Sequence, residues 1–179
     1  MKKALLGNGG MAKELSWIKD IEYCYDDSMP FAPECEYLIA VGYPETKRAI
    51  IRTISNGIVL ANAEIHPMTF IGENVIIGYG SVICAFVSIT ADTTIGNMAS
   101  INNSVTIGHD CKIGNMFHAS PGAVVSGNVN IGDCVFMGAN SVIKEKISVC
   151  DDVIIGAGAI VVKDIIEPGK YAGNPAVKL

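Results

Sequence analysis

From Val59 onward an aliphatic or small apolar residue returns at every sixth position: Val59, Ile65, Ile71, Ile77, Ile83, Ile89, Ile95, Ile101, Ile107, Ile113, Ala119, Val125, Ile131, Met137, Ile143, Val149, Ile155 and Val161. The register holds over all of these hexads without an insertion. A period of six matches neither the helical 3.6 nor the two-residue alternation of an ordinary strand. It suits a short strand plus a corner, three of which close a triangular turn. The pattern predicts a left-handed parallel β-helix of six coils, roughly 29 Å long at about 4.8 Å per layer. Each aliphatic side chain should point inward and stack on its counterpart one coil later. Gly follows it at 72, 78, 96, 108, 114, 132, 138 and 156. Gly and Asn near the corners are expected to take backbone angles that a Cβ disfavours.

Residues 1–57 lack this period. "KKALLGNGGMAKEL" reads as a strand, a glycine turn and a helix start, with Gly7, Gly9 and Ala12 in a G-x-G-x-x-G/A spacing and Asp26 or Asp27 about 20 residues on. Such glycines let backbone approach a diphosphate, and a carboxylate can accept from sugar or base donors. A second strand, Tyr37 to Val41, and a helix from about Pro44 complete a small α/β unit, too short for both halves of a dinucleotide-binding domain. The predicted organisation is an abbreviated Rossmann-like substrate-binding domain (1–57), a β-helix (58–166) and a turn-rich tail covering the last coil (167–179).

A β-helix of this kind has flat faces and no deep pocket of its own. Its cleft must come from a loop or from another copy, and a homotrimer is expected. The net charge of -5, with no basic run, argues against nucleic acid as a partner. No apolar run approaches the roughly 18 residues of a membrane span, and the apolar start breaks where a signal peptide would continue. The six cysteines include no CxxC and read as small buried fillers in a reducing, cytoplasmic setting.

The glycine turn and acidic pair, followed by coils carrying "IGHDCKIG", "SPGAVVSGNV" and a terminal "GNPA", resemble the bacterial sugar acetyltransferases of the sialic-acid O-acetyltransferase type, which include N-acetyltransferases of nucleotide-linked amino sugars. The resemblance spans nearly the whole chain. It implies acetyl-CoA as co-substrate, bound in the groove between neighbouring prisms, and no metal. It further implies His109 as general base with Asp110 beside it, and Gly127 as the amide facing the thioester oxygen. His118 would lie near the acetyl group, Ala139 and Ala157 along the CoA arm, and Asn102 at the amino sugar. Gly7, Gly9, Asp26 and Asp27 would contact the nucleotide-linked acceptor. Met11 stands where the family has a histidine, which removes one polar contact to substrate.

The chemistry of the residues agrees. A nucleophile attacking a thioester must lose a proton, and an imidazole accepts one at neutral pH. The oxyanion needs a positioned donor, which a glycine amide supplies without a side chain in the way. N-acetylation of a nucleotide-linked amino sugar for surface glycan synthesis is the leading expectation. O-acetylation of a sugar hydroxyl and a non-catalytic sugar-nucleotide scaffold are the alternatives. A zinc site from His66, His109 and His118 lacks a supporting spacing. His66 reads as structural, and Asp151 and Asp152 as turn residues.

Overall fold

The computed structural model describes residues 2–7, 9–25, 35–53 and 58–179. The hexads build the expected left-handed β-helix. Two-residue strands stack in parallel with partners 18 positions apart, as Thr94↔Lys112, Ser100↔His118 and Thr106↔Val124 show. They form three faces: the first holds strands 64–65 to 153–155, the second 70–71 to 160–161 and the third 76–77 to 148–149. Inward residues such as Ile83, Ile89, Ile95, Ile101 and Ile107 are wholly buried in one continuous core. Phe117 and Ala119 fill it jointly: a large ring occupies a place usually held by a small residue, and the inward position two residues on shrinks to Ala.

The corners correct one expectation. From 74 to 158 every sixth residue is left-handed, with φ between 51° and 70°, and most are not glycine: Phe86, Met98, Met116 and Lys146 are among them. The glycines that follow the aliphatic residue have no positive φ. Their requirement is space, since a methyl group on Gly78 or Gly138 would lie 2.5 Å from backbone of the next coil.

The front unit is a four-stranded parallel sheet in the order β2-β1-β3-β4. Its elements are β1 (Lys2–Leu6), α1 (Gly10–Glu14), β2 (Ile21–Tyr25), β3 (Cys35–Ile39), α2 (Pro44–Thr53) and β4 (Val59–Leu60). Sequence reasoning anticipated two strands here. It omitted β2 and set β3 two residues late, because β3 takes its register from β1, with Lys2↔Cys35 through Leu6↔Ile39. The first hexad, Val59–Leu60, pairs with β3 instead of with a coil. Gly7 has φ +118°, and a methyl group there would meet the Ala40 carbonyl at 2.6 Å, so this turn admits only glycine.

The front unit lies against the first face of the prism. Leu5, Leu15, Ile18, Leu38 and Ala40 share a buried cluster with Ala61, Val82 and Cys84. The Ala61 N–H donates to Tyr37 O at 3.0 Å and the Ile39 N–H to Gly80 O at 3.4 Å, so backbone bonding crosses the boundary. Helix α2 ties the units further: Lys47 donates to Met98 O (2.8 Å) and Ser100 Oγ (2.7 Å), and Arg48 pairs with Asp152 at 2.6 Å. At the far end Gly169–Ala172 extends the first face parallel to Val153–Ile155, and Val177–Lys178 pairs antiparallel on it. No helix among the described residues is long and apolar enough to cross a membrane.

Candidate active site

His109 and Asp110 form the turn between Thr106–Ile107 and Lys112–Ile113, at the edge where the second face meets the third. Asp110 is one of the left-handed corner residues (φ 58°), and its carboxylate reaches back to His109, with Oδ2 2.6 Å from Nδ1. The Asp110 side chain therefore reaches the ring. With Nδ1–H donating to Asp110, Nε2 keeps its lone pair free for a proton. Both side chains are more than half exposed, at 60% and 53%, so on a single chain water screens the pair.

Gly127 lies one coil above His109. A methyl group there would fall 2.7 Å from His109 Nε2 and 2.9 Å from Cε1, so the imidazole occupies the space that a side chain would need. The neighbouring amides are committed, Asn128 N–H to His109 O at 2.8 Å and Ser126 N–H to Ile143 O at 3.0 Å. Among the described residues the Gly127 N–H enters no hydrogen bond. The His109 imidazole and the Gly127 N–H thus lie at one edge of the prism.

Asn102 and His118 sit elsewhere. Both lie on the first face, beneath the front unit, and are only 8% and 6% exposed. In a three-sided prism the His109 edge, where the second and third faces join, is opposite the first face. One chain therefore does not bring His109 to Asn102 or His118. The His118 ring stacks on Phe136 (4.7 Å, 8°), which in turn stacks on Tyr43 (5.0 Å, 7°). His118 Nε2 lies 3.2 Å from Ser120 Oγ, and Nδ1 is buried without a partner. Burial pushes the His118 imidazole down to about 3, aided by nearby Lys47, so it is neutral. Burial likewise lowers the Lys47 ammonium to about 7.

Asn102 is oriented by its neighbours. Its Oδ1 accepts the Asn103 N–H at 2.7 Å, and its Nδ2 faces Glu14 Oε2 at 3.4 Å. Burial raises the Cys84 thiol, one coil below Asn102, to about 11, and the Glu14 carboxylate adds to the shift. Sequence reasoning missed both Lys47 and Glu14. Each stands in a short helix with nothing in its local pattern to mark it, and only docking against the prism gives it a role.

Ala139 and Ala157 stack one coil apart at the edge between first and second faces, with N–H groups that make no bond among the described residues. A ridge of small residues offering unpaired amides fits an extended amide-bearing arm such as that of CoA. Gly9 caps the five-residue α1 and is exposed. Asp26 and Asp27 lie outside the described residues. His66 Nδ1 accepts the Met68 N–H at 3.1 Å, and Trp17 packs edge-on against its ring. Among the described residues no three His, Cys, Asp or Glu side chains converge to hold a metal.

A sequence-family model described as the GMPPB C-terminal domain matches residues 53–146, just over half of the chain. The chain belongs to the GMPPB C-terminal domain family. The matched stretch of this family member includes the His109 edge and Asn102. No curated protein gives a significant match. Solved structures align over nearly the whole chain. The acetyltransferase domain of PglB from Neisseria gonorrhoeae is 27% identical, with all of both chains covered and a TM-score of 0.88. The same domain in complex with acetyl coenzyme A gives a TM-score of 0.85, covering 99% of each chain. PerB from Caulobacter crescentus, in complex with CoA and GDP-perosamine, is 24% identical, with 100% of this chain and 97% of that chain covered and a TM-score of 0.88. The resemblance to hexapeptide-repeat sugar acetyltransferases thus extends to three dimensions, front unit included.

Proposed function

We propose that this protein transfers the acetyl group of acetyl-CoA to the amine of a nucleotide-linked amino sugar destined for surface glycan, in the cytoplasm, with His109 as general base. The observation that carries the reading is the imidazole held over Gly127, its Nδ1 fixed by Asp110 and its Nε2 beside an unoccupied backbone N–H. The 27% identical PglB domain, which takes acetyl coenzyme A, supports it.

The mechanism follows from those positions. The acceptor amine attacks the acetyl carbonyl carbon while His109 Nε2 removes its proton. The carbonyl oxygen, now an oxyanion, is stabilised by the Gly127 N–H. Asp110 stabilises the imidazolium through Nδ1. As the tetrahedral species collapses, the C–S bond breaks and the sulfur takes the proton from His109. No covalent enzyme intermediate is needed. Because Asn102 lies opposite the His109 edge, we place the complete site between two copies, with the catalytic edge of one facing the seam of the next, three copies closing the ring. Exposed apolar side chains around the first coils (Met68, Phe70, Ile76, Tyr79 and Phe86) provide surface for such packing.

Thiol release from acetyl-CoA, measured with UDP-, GDP- and dTDP-linked 4-amino sugars, tests the activity. Wild type is expected to turn over at least one of them, and His109→Ala to lose about 10²–10⁴-fold in kcat. Unchanged turnover in His109→Ala would remove the proposed base.

A further inference from the structure

Acceptor selection is the part of the reaction that no residue discussed so far explains. Met11 cannot hydrogen-bond an acceptor as a histidine would. The amide of Asn102 offers an amine only the second lone pair of its oxygen, because that oxygen already accepts the Asn103 N–H and the NH2 group points at Glu14, so a second acceptor is needed. An amine, and above all its ammonium form, brings only N–H donors and needs acceptors.

At this place the seam supplies one in Glu14. It is the last residue of α1, and its carboxylate projects over the first face beside Asn102. Among the described residues no cation pairs with it: its hydrogen bond there is the 3.4 Å contact from Asn102, and Lys3 pairs with Glu64 and Arg48 with Asp152. On the same face His118, 6% exposed, turns Nε2 to Ser120, the residue one coil above Asn102, and packs its ring against Gly42 of the front unit. Glu14 is the carboxylate that stands at this seam beside Asn102.

We propose that Glu14 is the specificity-determining residue for the acceptor, receiving the ammonium form of an amino sugar and so favouring N-acetylation over O-acetylation at this site. The inference rests on the acetyl-transfer reading. Glu14 binds and orients the ammonium, which loses one proton to solvent to become the neutral amine; His109 of the neighbouring copy takes a second proton as that amine attacks and passes it to the leaving sulfur.

The experiment compares wild type, Glu14→Gln and Glu14→Asp on UDP-, GDP- and dTDP-linked 4-amino sugars and on the corresponding 4-hydroxy sugars, at two ionic strengths. Glu14→Gln should raise KM for the amine about tenfold or more, leave KM for acetyl-CoA within twofold and abolish the salt dependence of the amine KM. Glu14→Asp, which keeps the charge, should restore part of the loss, a result that a merely structural side chain would not give. An unchanged amine KM in Glu14→Gln, with wild type active, overturns this inference and leaves the acetyl-transfer reading standing. Wild type turning over hydroxy sugars as well as amino sugars also overturns it. Wild type transferring acetyl to no sugar removes the reading itself and the inference with it.

Discussion

The contact between His109 and Gly127 leaves no room for a side chain at 127. Gly127→Ala would place a methyl carbon 2.7 Å from Nε2, so the ring must swing away from the free N–H. We expect kcat to fall about 10²-fold with the fold intact, as seen when an oxyanion donor is lost. Circular dichroism and steady-state kinetics on the same preparation check this. Asp110→Asn should also lower kcat, since an amide cannot stabilise the imidazolium as a carboxylate does. Corner residues obey a different constraint. Lys146, exposed with φ 63°, should tolerate Gly with a gain of roughly 0.5 kcal/mol, whereas Val there should cost about 1–2 kcal/mol, readable by urea unfolding.

At the scale of elements, α2 fixes how the front unit meets the prism. Lys47 is fully buried, and its pKa of about 7 lies below the ordinary 10.5. Between those values the unfolded chain binds the extra proton, so stability rises with pH from about 7 to 10.5. His118, lowered to about 3 from 6.5, adds a rise between those two values by the same logic. Lys47→Met should flatten the alkaline part of the profile, a difference of roughly 2–4 kcal/mol across the window. A profile unchanged by the substitution would show that the lysine is not desolvated. The prism was legible because a six-residue period states its strand, corner and core positions directly in sequence. The front unit was less so. β2 is an edge strand with no periodic mark, and Val59–Leu60 kept the hexad count while pairing with β3. The roles of the glycines were misjudged because sequence shows the residue and not whether φ or the next coil demands it.

For the whole molecule, the three-sided section separates the two halves of the site. His109, Asp110 and Gly127 were named through the family resemblance, and the stacking of residues 18 apart is what brings His109 and Gly127 together. That His118 and Asn102 lie under the front unit on the opposite face was not legible in the sequence, because it depends on which of three faces that unit covers. The most direct test of a site shared between copies is subunit complementation. His109→Ala and Asn102→Ala, each inactive alone, would be denatured together in equal amounts and refolded as mixed oligomers. Random mixing should restore about a quarter of wild-type activity, because one junction in four joins an intact His109 edge to an intact seam. Mixed oligomers no more active than either parent would contradict the account.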